Sequence, residues 1–255
     1  MIRPNEKVPF TAHLEELRER LIKSFVAITG GFVLAYGFKE TLFAVLVRPL
    51  TSVMQADDTL IFTGLPEAFF TYLKVSLLAG IMLAAPVLIY QFWMFVAPGL
   101  YNRERRLLVP IIVLSSVFFV GGALFGYFVV FPYGFKFFLG FANDNIRALP
   151  SMKEYLSFAS KLLLAFGLAF ELPLVITFLA RLGLVSVPFL KKNRKYALLL
   201  FFIGSAILTP PDVVTQIMMA FPLMALYELS IVGARVFGRK PMEEEKDSSS
   251  SPASP

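Results

Sequence analysis

The sequence predicts an all-α integral membrane protein with six transmembrane helices, and three observations lead there. Of its 255 residues, 57% are hydrophobic and only 16% charged, whereas soluble domains average about 45–50% apolar and about 25% charged residues. Runs long enough to cross about 30 Å of hydrocarbon at 1.5 Å per residue recur six times or nearly so. Lys and Arg also gather in alternate connections between those runs. Residues 1–240 make a single membrane domain in this reading. The charge run Glu243–Asp247 and the Ser/Pro residues after it cannot bury apolar surface, so 241–255 is expected to be a disordered cytoplasmic tail.

The first span covers 21–38, with Lys23 close enough to its end to snorkel. The second, 75–97, carries Pro86, which membrane helices tolerate as a kink. The third, 107–131, is rich in Val, Phe and Gly. The fourth, 162–180, holds Glu171 at its middle. The fifth, 196–208, ends at Thr209-Pro210-Pro211-Asp212, where two prolines remove two donors and force a turn. The sixth, 213–234, contains Pro222 and Glu228. Pro49, Pro86, Pro210 and Pro211 count as structural residues. From 196 to 208, and from 213 to 227 ahead of Glu228, the last two apolar runs reach only about 20–22 Å. Short fifth and sixth helices would thin the bilayer locally, unless charged flanks such as Lys195 and Glu228 extend them into the headgroups.

Six spans put both termini on one side. The amino-terminal segment, the 98–106 loop, the 181–195 loop and the tail hold 17 of the 24 Lys and Arg residues. The opposite connections hold Lys39, Arg48, Lys136, Arg147 and Lys153. By the positive-inside rule both termini are cytoplasmic and the chain is a multi-pass protein of the cytoplasmic (inner) membrane. The first apolar run lacks a small-residue cleavage site, so no cleavable signal peptide is expected.

Composition also removes function classes. Without cysteine there is no disulfide, thiolate nucleophile or Cys-based metal site, and the single His13 excludes paired-His motifs. No metal, no cofactor and no catalytic residue are expected. The net charge of +6 follows membrane topology and does not imply nucleic acid. No internal repeat is visible, which weakens a carrier built from paired repeats.

A few acids stand out against this background. Leu14, Leu17 and Leu21 give residues 11–23 an amphipathic helical pattern, with Glu16 and Arg20 ordered for an i, i+4 pair. The plain reading is an interfacial helix facing water; the functional one has Glu16 offering a carboxylate to a cationic partner. Glu104 is the lone acid of the basic 98–106 loop, either a counter-charge to its arginines or a second acidic site beside Glu16. Glu171 within a span costs about 2.5–3.5 kcal/mol on insertion scales and marks a functional or a hydrogen-bonded structural group. Gln216 and Asp212 share a helical face and form another candidate polar site, with Asp212 as an N-cap the competing explanation.

Five segments then fall in a familiar order. They are His-Leu-Glu-Glu-Leu-Arg-Glu-Arg-Leu at 13–21, Ala-Ala-Pro-Val-Leu-Ile-Tyr-Gln-Phe-Trp-Met-Phe-Val-Ala-Pro-Gly-Leu-Tyr at 84–101, Glu-Arg-Arg at 104–106, Phe-Gly-Leu-Ala-Phe-Glu-Leu-Pro at 166–173 and Leu-Thr-Pro-Pro-Asp-Val-Val-Thr-Gln at 208–216. Together they resemble the signature segments of the TatC family, the polytopic subunit of the twin-arginine protein translocase, over residues 8–240.

The resemblance implies a concave, glove-like bundle that receives twin-arginine signal peptides of folded precursors. It also implies TatA- and TatB-type single-span partners, a homo-oligomer within the complex, and the proton-motive force as driver. Glu16 and Glu104 match the carboxylates that contact the arginine pair, with Arg18, Phe95 and Arg105 beside them. Glu171 matches the buried acid that lines the concave pocket, and with Gln216 and Asp212 it makes up the candidate membrane-buried polar site for partner contact. Guanidinium forks and carboxylates are chemically suited to that pairing. The rival reading is a proton-coupled small-solute carrier using Glu171, which leaves the acidic helix and the Glu-Arg-Arg loop unused. An intramembrane hydrolase lacks its motifs in this sequence.

Overall fold

No proline interrupts residues 10–36, and in the computed structural model they form one helix, α1 (Phe10–Tyr36). The amphipathic segment and the first span are therefore one continuous rod. The structure describes residues 10–54, 59–96, 108–142, 148–208 and 213–238. After Gly37 and Phe38 the chain turns by 89° into α2 (Lys39–Thr51), in a stretch the sequence reading treated as a connection. Leu46, Val47, Pro49 and Leu50 of α2 are buried. Pro49 has no N–H to give the Val45 carbonyl four residues back. That carbonyl instead accepts the Tyr127 hydroxyl at 2.6 Å, and Tyr155 donates to the adjacent Leu46 carbonyl.

α3 (Glu67–Val96) runs as one helix through Pro86. α4 (Leu108–Phe125) continues through a π turn (Gly126–Val130) into α5 (Phe131–Leu139), so the third span reaches eight residues beyond its expected end. α6 (Met152–Phe170) and α7 (Leu172–Arg181) meet at Glu171. The fourth span thus starts ten residues earlier than expected. Glu171 occupies a break, since Pro173 lacks a donor for the Ala169 carbonyl. Gly183, with φ 76°, ends α7 in the left-handed conformation, and Leu184 N–H bonds back to the Leu179 carbonyl. Ser186 caps α8 (Val187–Lys192) through Phe189 N–H. α9 (Arg194–Leu208) has 15 residues, and α10 (Val213–Phe237) has 25.

The expectation of a short sixth helix is corrected. Glu228 does not end it, because Arg194 of α9 pairs with that carboxylate at 2.7 Å on the exposed flank. α9 remains short. Four helical stretches, 67–96, 109–139, 152–181 and 213–237, are long and apolar enough to cross a membrane, and the bent α1–α2 pair makes a fifth. Among the described residues there is no strand, only an isolated bridge between Ile61 and Ser151.

The largest apolar cluster joins α2, α3, α5, α6 and α10 through Leu50, Val75, Phe135, Phe166 and Met219. Two close crossings need glycine. A Cβ on Gly31 would stand 2.6 Å from the Gly80 carbonyl oxygen, so α1 and α3 meet backbone to backbone. A Cβ on Gly122 would collide with the Phe166 carbonyl of α6. Small residues permit such approaches between membrane helices.

Candidate functional site

Glu16 lies one turn before Arg20 on α1. Arg20 donates to Glu16 Oε1 from Nη2 at 2.5 Å and from Nε at 3.1 Å, while Nη1 reaches Gln91 Oε1 of α3 at 3.4 Å. His13 Nδ1 stands 3.7 Å from Glu16 Oε2, and its ring stacks on Phe95 with centroids 4.4 Å apart. α1 and α3 therefore bring Glu16 and Phe95 into one cluster, bridged by His13. The carboxylate is part-exposed, with one oxygen engaged by Arg20 and the other held more loosely. Arg18 is exposed on α1. Glu104 and Arg105 lie outside the described residues.

A second polar cluster sits at the α6–α7 break. Trp93 of α3 is buried and donates from Nε1 to Ser115 Oγ of α4 at 3.0 Å. The Ser115 hydroxyl lies beside the Glu171 carboxyl, within its electrostatic reach. Glu171 Oε1 is buried with no hydrogen-bond partner among the described residues. Gln216 has different company, because its Nε2 donates to the Phe202 carbonyl at 2.9 Å and ties α10 to α9. Among the described residues no hydrogen bond joins Gln216 to Glu171, and Asp212, Pro210 and Pro211 lie outside the described residues. The donor sets offer no metal centre: among the described residues no group of three His, Cys, Asp or Glu side chains gathers.

Residues 12–222 match the family model for Sec-independent protein translocase protein (TatC). A TatC protein of Desulforapulum autotrophicum is 66% identical, over 97% of this chain and 92% of its own length. The chain belongs to the TatC family. A TatC protein of Escherichia coli K12 is 37% identical over 93% of this chain and 92% of its own length. A crystal structure of a twin-arginine translocase receptor TatC superposes with TM-score 0.80 at 40% identity, covering 88% of this chain and 99% of that one. This is thus a multi-span helical membrane protein of a Sec-independent protein translocase.

One element of this TatC-family chain escaped the sequence reading. Glu67, the first residue of α3, is buried and accepts five hydrogen bonds. Thr63 N, Thr63 Oγ1 and Gly64 N donate to Oε2 at 2.8, 3.1 and 3.2 Å. Ser151 Oγ and Lys153 N donate to Oε1 at 2.8 and 2.9 Å. Ser151 is the N-cap residue of α6 but makes no side-chain cap bond itself. Glu67 satisfies an otherwise orphaned N–H of that helix from 86 residues away in sequence. Two backbone bonds, Ile61 N to Pro150 O and Met152 N to Ile61 O, close the same seam. Glycine and a Thr-x-x-x-Glu spacing were the available signals, and neither names the distant partner.

Proposed function

We propose that this chain is the receptor for twin-arginine signal peptides within a translocase that exports folded proteins across the cytoplasmic membrane, driven by the proton-motive force. It spans the membrane six times with α9 as the short fifth span, and both termini are cytoplasmic. The carrying observation is the Glu16–His13–Phe95 cluster, where a part-exposed carboxylate lies beside an aromatic ring at the end of two packed helices. A guanidinium can donate to such a carboxylate as a fork and lie against such a ring. In a protein whose cytoplasmic segments are dense in Lys and Arg, the few exposed acids are what can select a doubly cationic ligand. Glu104 supplies the second carboxylate, with Arg18 and Arg105 at the rim. TatA- and TatB-type single-span subunits are the partners, and Glu171 with Asp212 and Gln216 offers polar contacts to them inside the membrane.

The test is peptide binding by the purified chain. A peptide carrying the arginine pair should bind and its Lys-Lys version should not. Glu104→Ala, and less severely Glu16→Ala, should weaken binding by about 2–5 kcal/mol, much of it from the partner left unpaired. Full affinity in Glu104→Ala would remove that carboxylate from the site.

A further inference from the structure

The peptide face and the Glu171 carboxyl stand apart, yet a single stretch of α3 touches both. Gln91 and Phe95 are four residues apart on one helical face, where they meet Arg20 and His13 of α1. Trp93, between them, points the other way. It is buried against Phe178 of α7, edge-on with centroids 4.7 Å apart, and its Nε1 donates to Ser115 of α4.

The chemistry of this chain of groups has a direction. An indole only donates, whereas a serine hydroxyl accepts that bond and keeps one proton to give. Ser115 is fully buried, and its hydroxyl lies beside the Glu171 carboxyl. Trp93 therefore fixes the hydroxyl that stands next to the carboxyl, whose Oε1 has no partner among the described residues. Sequence order adds a mechanical link. The segment carrying Glu104 leaves α3 after Val96, three residues past Trp93, and enters α4 at Leu108, seven residues before Ser115.

We propose that Trp93 and Ser115 are positioning residues that make the orientation of the Glu171 carboxyl depend on whether a cationic peptide occupies the Glu16–Phe95 face. This rests on the receptor reading above. A ligand that moves His13 off Phe95, or draws Glu16 away from Arg20, shifts the last turns of α3. The rigid indole carries that shift to the hydroxyl, and the free carboxyl oxygen turns with it. Occupancy at the membrane surface is thereby signalled to the intramembrane acid.

The chain has one tryptophan, so its intrinsic emission reports Trp93 without any substitution. The full-length protein in detergent is titrated with the Arg-Arg peptide and with its Lys-Lys version, while binding is followed separately by anisotropy of labelled peptide. The Arg-Arg peptide should change Trp93 emission with the same saturation as binding. Coupling is reciprocal, so Glu171→Gln should alter Arg-Arg peptide affinity about fivefold or more in the parent. In the Ser115→Ala background the same substitution should alter it less than about twofold. If the parent prefers the Arg-Arg peptide but its emission stays flat, or if Glu171→Gln acts equally with and without Ser115, the relay is wrong while the receptor reading stands. If the two peptides bind alike, the receptor reading fails and the relay falls with it.

Discussion

Glu67 and Glu171 are both acids folded into the protein, and their oxygens are treated in opposite ways. Glu67 receives five donors from two chain segments. Glu171 has one hydroxyl beside it, that of Ser115, and keeps a buried oxygen without a partner among the described residues. A buried carboxylate whose acceptor sites are filled belongs to the architecture, because the fold has already spent it on joining α3 to the start of α6. One left partly unfilled costs stability in the resting state, and that cost is explained if a donor arrives during function.

The comparison predicts opposite outcomes for the two acids, and the largest effect falls on Glu67. Glu67→Ala strips an acceptor from five donors at once, including the N–H of Lys153 in the first turn of α6. Its thermal unfolding midpoint in detergent should fall further than that of any other variant named here, with poor accumulation in membranes. Glu67→Gln keeps one oxygen acceptor and should fall between Ala and the parent. A Glu67→Ala protein that unfolds at the parental temperature would show that the two loops hold together without the carboxylate.

For Glu171 the sign reverses. Glu171→Leu removes an unpaired acceptor, and Ser115 can turn its proton to a carbonyl of its own helix, so stability should be unchanged or higher by about 1 kcal/mol. Export of a folded reporter should nevertheless be lost in Leu and partly kept in Gln, whose amide preserves an acceptor. Equal and full export in both would move Glu171 into the same class as Glu67.

The smallest effect sharpens the comparison at a neutral group. Tyr127 gives the Val45 carbonyl the donor that Pro49 cannot, so Tyr127→Phe should cost about 1–2 kcal/mol in unfolding experiments. Pro49→Ala in that background restores a backbone N–H in register and should recover part of the loss. No recovery would mean that the phenol contributes through packing alone.

Which of these features could be seen in the sequence follows from how local their causes are. The apolar runs and the Glu16–Arg20 pair depend on residues within a turn or two, and the structure bears out the helices and the ion pair; the break at Glu171, inside a span read as continuous over 162–180, emerges only from the structure. The link between Glu16 and Phe95 came only through family resemblance, and the structure supplies its physical form in the His13 ring between them. Glu67 was passed over because its decisive partners, Ser151 and Lys153, lie 84 and 86 residues away. The length of α10 turns on a distant partner in the same way: within a span read as 213–234, Glu228 cuts the apolar run at 227 until Arg194, 34 residues earlier, is found beside it. The second polar site divided because Gln216 faces α9 while Glu171 faces α4, a distinction that spacing along the chain does not contain.

The continuity of α1 has a geometric consequence. Twenty residues separate Glu16 from Tyr36, and at 1.5 Å each the carboxylate stands about 30 Å from the sharp bend into α2, close to the thickness of a bilayer's hydrocarbon. No joint interrupts that length, and α1 meets α3 at the Gly31–Gly80 crossing, where a Cβ on either glycine would collide with the other helix's backbone. α1 is therefore a ruler. In the receptor proposed above it sets the level at which an arginine pair is gripped, so that an incoming peptide reaches into the membrane only as far as the spacing between its arginines and its apolar stretch allows.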